Sequence, residues 1–381
     1  MFWRRRTYLD RAAGVTGNPS SPHEEGRQAR SMLEDSRRTI ARLTEVQPDD
    51  VIFTSGATES NALAILGYAR ALRQRAGADT PGRNNIHVLY LPTAHASIVG
   101  NAKLLQTEGV VVEALPVTDY RVDTAALAKM LRKGTALVSM DAVCGETGVV
   151  WNTREVASVL AAFKGAHNRP LLHIDASQAP LTEKITRAHF GADMLTFDAS
   201  KVGDVRGIGV LIVHRTIPLV PFYMGGGQER GLRPGSEAPE LARSFAESLS
   251  IASENREIFR ASAAQARVLL ADAIKKSIPN IHIQEGRSQV PHILNLSLPG
   301  RDTDYLVMIL DEAGFAVSTR SACETDSEDG SRAVLVLTGD TDRARATVRI
   351  SWGPSVHVRE LQRFSRAFAK AVAFIDKGAR G

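Results

Sequence analysis

Two short apolar runs, each followed by a polar loop, constrain the fold of this chain more than any other feature. Residues 171–174 lead into Asp175, with Gln178 three residues later, and residues 194–197 lead towards Lys201. Short apolar runs bounded by polar residues predict buried strands. Side chains just past the carboxyl ends of parallel strands converge on the ligand crevice of an α/β sheet. We therefore expect Asp175, Gln178 and Lys201 to lie close together.

An aspartate and a lysine delivered in this order suit the chemistry of pyridoxal phosphate (PLP). The Lys201 amine can form a Schiff base with the aldehyde of PLP, and Asp175 can pair with the pyridinium nitrogen so that the ring acts as an electron sink. The alternative is an aspartate that merely ends a strand and a lysine on the surface. This stretch alone leaves both interpretations open.

The composition places the chain among soluble globular proteins. Its 381 residues are 43% hydrophobic and 23% charged, and they suffice for two domains with a large core. No apolar run is long enough to cross a bilayer and none follows the basic start, so we expect neither a membrane span nor a secretory signal. The formal charge of +5, with scattered arginines, predicts no nucleic-acid-binding stripe. Two cysteines, Cys144 and Cys323, favour a reducing cytoplasm over a disulfide framework.

A turn that can bind phosphate follows the first predicted strand, residues 50–53. The turn runs from Thr54 through Gly56 to Thr58, and a helical pattern begins at Glu59. Strand, glycine turn and helix in this order present free backbone N–H groups and a positive dipole end to a phosphate. Many strand–helix turns look alike, so this motif is a weak signal by itself.

The order of predicted elements indicates an α/β fold with two domains. Strands and helices alternate up to about residue 215, which predicts a doubly wound, mostly parallel sheet with helices on both faces. We expect a large domain at residues 14–245 and a smaller α+β domain at residues 246–381, completed by residues 1–13. A glycine-rich loop at 224–236 and a long helix at 237–276 would connect them. Further strands are predicted near 281–283, 293–297, 315–318 and 347–351, with a last helix at 360–375.

Two further side chains can take part in chemistry. His95 follows the predicted strand at 86–91, where an imidazole can stack on a cofactor ring and handle protons, although histidines at strand ends are more often structural. Cys323 lies in a polar loop of small residues without packing periodicity, which predicts an exposed and reactive thiol. Because acidic residues follow Cys323, its activation needs a cation or a cofactor nearby.

These stretches together resemble the cysteine desulfurases, the NifS/IscS-like branch of the class V aminotransferase group of fold-type I PLP enzymes. The resemblance extends from Tyr8 to about Gly353 and keeps the order and spacing of the family's motifs. The matching motifs are GNPSSPHEEGRQAR, FTSGATESNALAILG, HASIV, ETGVV, HIDASQAP, SK, GIG, GGGQERGLRPGS, ILNLSLPG, AVSTRSAC and RISWG.

The resemblance implies a role for each candidate residue. Lys201 would hold the cofactor and move the α-proton of the substrate, and His95 would stack on the ring and act as acid–base. Cys323 would attack the sulfur of the bound cysteine, which gives a persulfide on Cys323 and alanine. The implied binding residues are Asp175 at the pyridinium nitrogen, Gln178 at the phenolic oxygen, Ala57, Thr58 and Ser200 at the phosphate, and Asn295 and Arg349 at the substrate, where Arg349 would bind the carboxylate.

The resemblance also implies partners. Ser236 of the partner subunit would join the phosphate site across a homodimer interface. The long loop after Cys323 is typical of the branch that delivers sulfur to iron–sulfur scaffolds and tRNA-thiolation carriers, so we expect a sulfur-acceptor protein. The substrate would be L-cysteine. We expect no metal, no nucleic acid and no membrane as a direct partner.

Several positions depart from the family's pattern. Asp198 and Ser200 replace a Ser and a His that bind the phosphate, so Asp198 either turns to another partner such as Arg206 or weakens the binding of PLP. Cys144 and Gly145 replace two Asn residues, and Arg320 replaces a Gly. Some twenty residues that line the substrate pocket in the family are missing between the motifs at 8–13 and 17–19.

These departures keep three functions open. The leading hypothesis is a working cysteine desulfurase, because the groups of its covalent chemistry are all present. A diverged PLP lyase or aminotransferase of the same fold would fit the altered pocket. A weakened paralogue that acts as a binding subunit would fit the altered phosphate site. The preference between cysteine and selenocysteine is not predicted.

Overall fold

A computed structural model describes residues 7–15, 17–75, 85–165, 169–319 and 330–378 of the chain. Cys323 and Arg320 lie outside the described residues. Within the described part, no helix combines the length and the apolar character that a membrane span requires.

The strands are numbered in chain order. They are β1 (Val51–Thr54), β2 (His87–Tyr90), β3 (Val111–Ala114), β4 (Val117–Thr118), β5 (Arg121–Val122), β6 (Thr135–Asp141), β7 (Leu171–Asp175), β8 (Met194–Asp198), β9 (Gly209–Val213), β10 (His282–Ile283), β11 (Ile293–Ser297) and β12 (Thr347–Ser351).

The α-helices are numbered in the same way. They are α1 (Glu24–Thr44), α2 (Ala57–Ala62), α3 (Tyr68–Arg75), α4 (Ala96–Thr107), α5 (Thr124–Met130), α6 (Thr153–Ala162), α7 (Arg187–Phe190), α8 (Pro239–Ser277), α9 (Thr303–Glu312), α10 (Arg332–Thr338), α11 (Thr341–Arg345) and α12 (Val358–Gly378). A π-helical segment, Leu63–Gly67, joins α2 to α3, and short 3-10 turns occupy Arg11–Ala13, Pro48–Asp50, Ala199–Lys201 and Gln228–Gly231.

A seven-stranded sheet forms the centre of the large domain, in the order β1-β9-β8-β7-β6-β2-β3. Strand β9 pairs antiparallel with both of its neighbours, and the other pairs in this sheet are parallel. The inner strands are buried along their length, as is typical of a parallel sheet with helices on both faces. The predicted doubly wound, mostly parallel sheet is confirmed.

A second, antiparallel sheet of β10, β11 and β12 belongs to the smaller C-terminal part. It packs on a core of its own with α9, α12 and the second half of α8. The first half of α8, up to Leu249, packs in the core of the large sheet, and the second core takes over from Phe259. The predicted boundary at residue 245 falls within α8, and the domain bounds stay a prediction.

The observed elements correct the sequence prediction at three places. Residues 315–318 form no strand, because only Ser318 pairs, as an isolated bridge to Arg349. The helix expected from Glu59 already begins at Ala57. Strand β8 continues through Asp198, where the apolar pattern predicts its end at residue 197.

A candidate active site at the carboxyl edge of the large sheet

Three neighbouring strands of the large sheet each end in an aspartate. Asp141 ends β6, Asp175 ends β7 and Asp198 ends β8, and Asp141 stands opposite Asp175 in the register of the parallel pair. Because parallel strands bring their carboxyl ends to one edge, the loops that follow them share that edge. A cavity of about 290 Å³ opens there.

The cavity brings together most of the predicted site residues. Its lining includes Ala57, Thr58, His95, Asp175, Gln178, Lys201 and Arg349. Ser200, Ser236 and Asn295 are not part of the lining. Ser236 is exposed on the loop before α8, and Cys323 lies outside the described residues. The predicted convergence of Asp175, Gln178 and Lys201 is thus observed, while the roles assigned to all these residues stay predictions.

Asp175 is held by short hydrogen bonds at the end of β7. Its Oδ1 accepts from the backbone N–H of Ser177 at 2.9 Å and from the Ser177 hydroxyl at 2.6 Å, and its Oδ2 accepts from Asn61 Nδ2 at 2.7 Å. Each carboxylate oxygen can accept two hydrogen bonds, so Oδ2 keeps one acceptor position. This position fits the pyridinium N–H of PLP.

Asn61 connects Asp175 to His95 through Ser97. Asn61 Nδ2 also donates to Ser97 Oγ at 2.9 Å, and Ser97 Oγ lies 2.8 Å from His95 Nδ1. The Ser97 N–H donates to the same Nδ1, at 3.2 Å, so the neutral imidazole carries its proton on Nε2. Asn61 and Ser97 are buried residues of helices α2 and α4. The network therefore sets the orientation of both groups that would contact the cofactor ring.

Burial raises the pKa of two other groups that line the cavity, Asp141 and Cys144. Burial, followed by the charge of Asp175, raises the pKa of Asp141 well above its ordinary value, which favours the neutral form of its carboxyl group. Burial, reinforced by Asp141 and Glu146, raises the pKa of the Cys144 thiol to about 12. Cys144 is therefore a poor nucleophile at neutral pH.

Gly145 makes room for Gln178. A Cβ atom at position 145 would lie 3.2 Å from Gln178 Nε2. The Gly145 carbonyl oxygen accepts a hydrogen bond from Arg349 Nη1 at 3.1 Å. Gly145, where the family has an asparagine, therefore lets Gln178 approach the backbone and presents its carbonyl oxygen to Arg349.

The smaller domain closes one side of the cavity. Asn295 pairs with Arg349 across strands β11 and β12, and its Nδ2 donates to the Glu146 carbonyl oxygen at 3.2 Å. Its buried Oδ1 has no hydrogen-bond partner among the described residues. Arg332, at the start of α10, also lines the cavity and donates to the carbonyl oxygens of Pro92 and Ala94.

The sequence interpretation missed Asn61, Asp141 and Arg332. Asp141 could have been found, because it follows an apolar run just as Asp175 does. Asn61 and Arg332 carry no comparable signal, because each reaches the site from a helix through contacts with distant segments.

The phosphate end of the predicted site contains a carboxylate. Asp198 Oδ2 accepts from the Ala57 N–H at 2.8 Å, and Asp198 Oδ1 accepts from the N–H and hydroxyl of Ser200 at 2.9 and 2.6 Å. The expected contact to Arg206 is absent from the described ion pairs, so the suggestion that Asp198 turns to Arg206 is wrong. The carboxylate instead contacts Ala57 and Ser200, because Asp198 ends β8 at the start of α2.

The doubly wound sheet, with Asp175 and Lys201 following adjacent strands, is the fold of the fold-type I PLP enzymes. The sequence matches the family described as aminotransferase class-V over residues 6–364, so the chain belongs to that family. Within it the chain belongs with the cysteine desulfurases, which depend on PLP. The family resemblance seen in the motifs is confirmed.

Curated relatives cover nearly the whole chain. Cysteine desulfurase IscS 1 of Archaeoglobus fulgidus is 32% identical over 341 residues, which are 88% of this chain and 85% of that protein. A NifS/IcsS protein homolog of Lactobacillus delbrueckii subsp. bulgaricus is 34% identical over 378 residues, which are 97% of this chain and 94% of that protein.

Solved structures agree with this fold. A NifS-like protein superposes with a TM-score of 0.84 at 24% identity, covering 94% of this chain and 92% of that chain. DndA from Streptomyces lividans superposes with a TM-score of 0.74 at 27% identity, covering 91% and 93% of the two chains.

Proposed function

We propose that this chain takes sulfur from L-cysteine, releases L-alanine and carries the sulfur as a persulfide on Cys323. The C–S bond of cysteine breaks, the sulfur forms a bond to Cys323 Sγ, and the Cβ of the product takes up a proton. The thiol and cysteine thus become a persulfide and alanine without an external oxidant or reductant. The observation that carries the proposal is the single cavity shared by Lys201, Asp175, His95 and Arg349.

The residues around the cavity have complementary tasks. PLP, when bound, supplies the electron sink that makes the Cα proton of the substrate acidic. Lys201 Nζ would hold the cofactor and move that proton, and Asp175 Oδ2 would accept the ring N–H at its free acceptor position. His95 would face the ring with its protonated Nε2, while Ser97 holds Nδ1 from behind.

Arg349 would orient the substrate through its carboxylate. Its guanidinium lines the cavity and is held by the Gly145 carbonyl oxygen through Nη1, which leaves N–H groups for a carboxylate. Asn295 lies on β11 and pairs with Arg349 on β12, and its buried Oδ1 would accept a hydrogen bond from an N–H group of the substrate.

The chain would act as a homodimer in the cytoplasm. Ser236 of the partner subunit would add a hydroxyl to the phosphate end of the cofactor site. A sulfur-acceptor protein, either an iron–sulfur scaffold or a thiolation carrier, would then take the sulfur from the persulfide on Cys323.

Three variants test the proposal: Cys323→Ala, Lys201→Ala and the control Cys144→Ala. After incubation with L-cysteine, mass spectrometry of the intact protein should find one additional sulfur on the parent chain and on Cys144→Ala. Cys323→Ala should keep the visible absorbance of bound PLP but carry no additional sulfur, and it should release no sulfide with a thiol reductant. Lys201→Ala should form no alanine.

Three outcomes would overturn the proposal. Full sulfide release by Cys323→Ala would remove the persulfide role. Amino-acid turnover without sulfur transfer would favour a diverged lyase or aminotransferase of the same fold. No bound PLP even with excess cofactor would favour the weakened paralogue, which the carboxylate of Asp198 at the phosphate end makes the strongest competing function.

A further inference from the structure

Asp198 contacts the groups that were predicted to bind the cofactor phosphate. One carboxylate oxygen lies 2.8 Å from the Ala57 nitrogen at the start of α2. The other lies 2.9 Å from the Ser200 nitrogen and 2.6 Å from its hydroxyl oxygen. An anion held by backbone N–H groups and a hydroxyl is the arrangement that binds phosphate groups in proteins. The carboxylate therefore uses the donors that a phosphate would need.

The surrounding backbone accommodates this carboxylate closely. Gly56 precedes Ala57 with φ of +147°, and a Cβ atom there would lie 3.1 Å from Asp198 Oδ2. A side chain at position 56 would thus crowd the carboxylate as well as strain the backbone. Glycine is the residue that permits both the turn and the approach of Asp198.

No ion pair within the described part of the chain includes Asp198. Lys201 lies at the end of the same turn, but its amine is needed at the aldehyde carbon of the cofactor. A phosphate dianion that approached Ala57 would meet the negative charge of Asp198 at close range, and like charges repel strongly where solvent is partly excluded.

We propose that the Asp198 carboxylate occupies the phosphate end of the cofactor site in place of a phosphate group. The phosphate group of PLP then adds little to the affinity of the site. Binding of PLP then requires the Asp198 carboxylate to leave the Ala57 N–H. Pyridoxal, which has an uncharged hydroxymethyl group in place of the phosphate ester, requires no such displacement. The ring end, with Asp175, His95 and Lys201, binds both molecules alike.

The test compares the binding of PLP and of pyridoxal to the full-length chain freed of cofactor. Visible absorbance of the bound ligand gives a Kd for the parent chain and for Asp198→Ser and Asp198→Asn. Asp204→Ser is the control, because Asp204 is an exposed aspartate of the same loop. We expect the parent chain to bind the two ligands with Kd values within about tenfold of each other.

Removal of the carboxylate should change only one of these values. Asp198→Ser and Asp198→Asn should bind PLP at least about tenfold more tightly than the parent, while their Kd for pyridoxal stays within about twofold. Asp204→Ser should match the parent for both ligands.

A second measurement needs no cofactor. Inorganic phosphate should raise the thermal midpoint of cofactor-free Asp198→Ser, because Ala57 and Ser200 are then free to bind it, and it should leave the parent unchanged. Asp198→Asn keeps the size of the side chain and serves if Asp198→Ser does not fold.

The proposal is refuted if the parent already prefers PLP over pyridoxal more than about a hundredfold and the Asp198 variants bind PLP no more tightly. Weaker binding of PLP by both variants would refute it as well, since Asp198 would then support the phosphate site. Both measurements report binding rather than turnover, so they remain decisive if the chain proves to have another amino-acid substrate.

Discussion

Glu229 holds the glycine-rich loop of residues 224–236 against the large sheet, and its replacement by glutamine should loosen that loop. Glu229 accepts two hydrogen bonds from Arg37, at 2.6 and 2.9 Å, and one from the Phe53 N–H at 2.8 Å. The two side chains are only 1% and 11% exposed. Burial lowers the pKa of Arg37, but the interactions with Glu229 outweigh this and the pKa is raised.

The loop needs this anchor because its backbone is strained. Glu229 and Arg230 both have positive φ values, of 49° and 61°, which residues other than glycine rarely adopt. Such a conformation costs about 1–2 kcal/mol per residue and persists only where the surrounding contacts impose it.

The expected loss follows from the buried charge. Removal of one partner of a buried ion pair costs about 3–5 kcal/mol, because the other charge stays buried. Without Glu229, the only ion pair that Arg37 keeps among the described residues is with the exposed Glu34, at 3.2 Å. For 381 residues, an unfolding entropy of about 2.1 cal/mol/K per residue sums to about 0.8 kcal/mol/K. Glu229→Gln should therefore lower the thermal midpoint by about 4–6 °C. Combination with Arg37→Met should recover more than half of this loss, because no unpaired charge then remains.

Scanning calorimetry and limited trypsin digestion measure the two effects. Cleavage after Arg230 should be several-fold faster in Glu229→Gln, because the parent holds this arginine on the carbonyl oxygens of Asp49 and Val213. Glu247→Gln is the control, since its pair with Arg243 is exposed and 3.9 Å long, and it should shift the midpoint by less than about 1 °C. Equal midpoints and equal cleavage rates for the two variants would contradict the reasoning.

Two predictions concern the dependence of stability on pH. Burial, followed by the charge of Arg267, lowers the pKa of His292 to about 4, so the stability it contributes is complete above pH 6.5 and is lost as the pH falls towards 4. At pH 5 the loss is about 2 kcal/mol at about 1.4 kcal/mol per pKa unit, and His292→Leu should flatten the curve of unfolding free energy between pH 8 and 5 by that amount. If the unfolding free energies of His292→Leu and the parent chain changed equally between pH 8 and 5, His292 would not titrate as described. The pH dependence that Asp141 causes has the opposite sign. Because its pKa is raised in the folded state, the free energy of unfolding is highest below pH 3.8, the ordinary pKa of an aspartate, and falls as the pH rises. Asp141→Asn should therefore gain in thermal midpoint over the parent as the pH increases from 4 to 7, and a constant difference would contradict this.

Local patterns were sufficient to predict the sheet and the residues at its edge. Apolar runs of four to six residues locate the buried strands, and parallel pairing then places the residues after them at one edge. Asp175, Gln178 and Lys201 meet in the observed cavity for this reason. The second sheet was predicted in part, because residues 315–318 have the composition of a strand but make only one bridge.

The tertiary structure decided how side chains from distant segments combine. Asn61 reaches Asp175 across 114 residues, Asp198 reaches Ala57 across 141, and Arg349 reaches Gly145 across 204. The sequence by itself determined the fold class, the family and the strand ends that carry the chemistry, because burial and periodicity are local properties of a chain. Whether Asp198 points at the phosphate end or away from it depends on the packing of β8 against α2, and no local pattern contains that information.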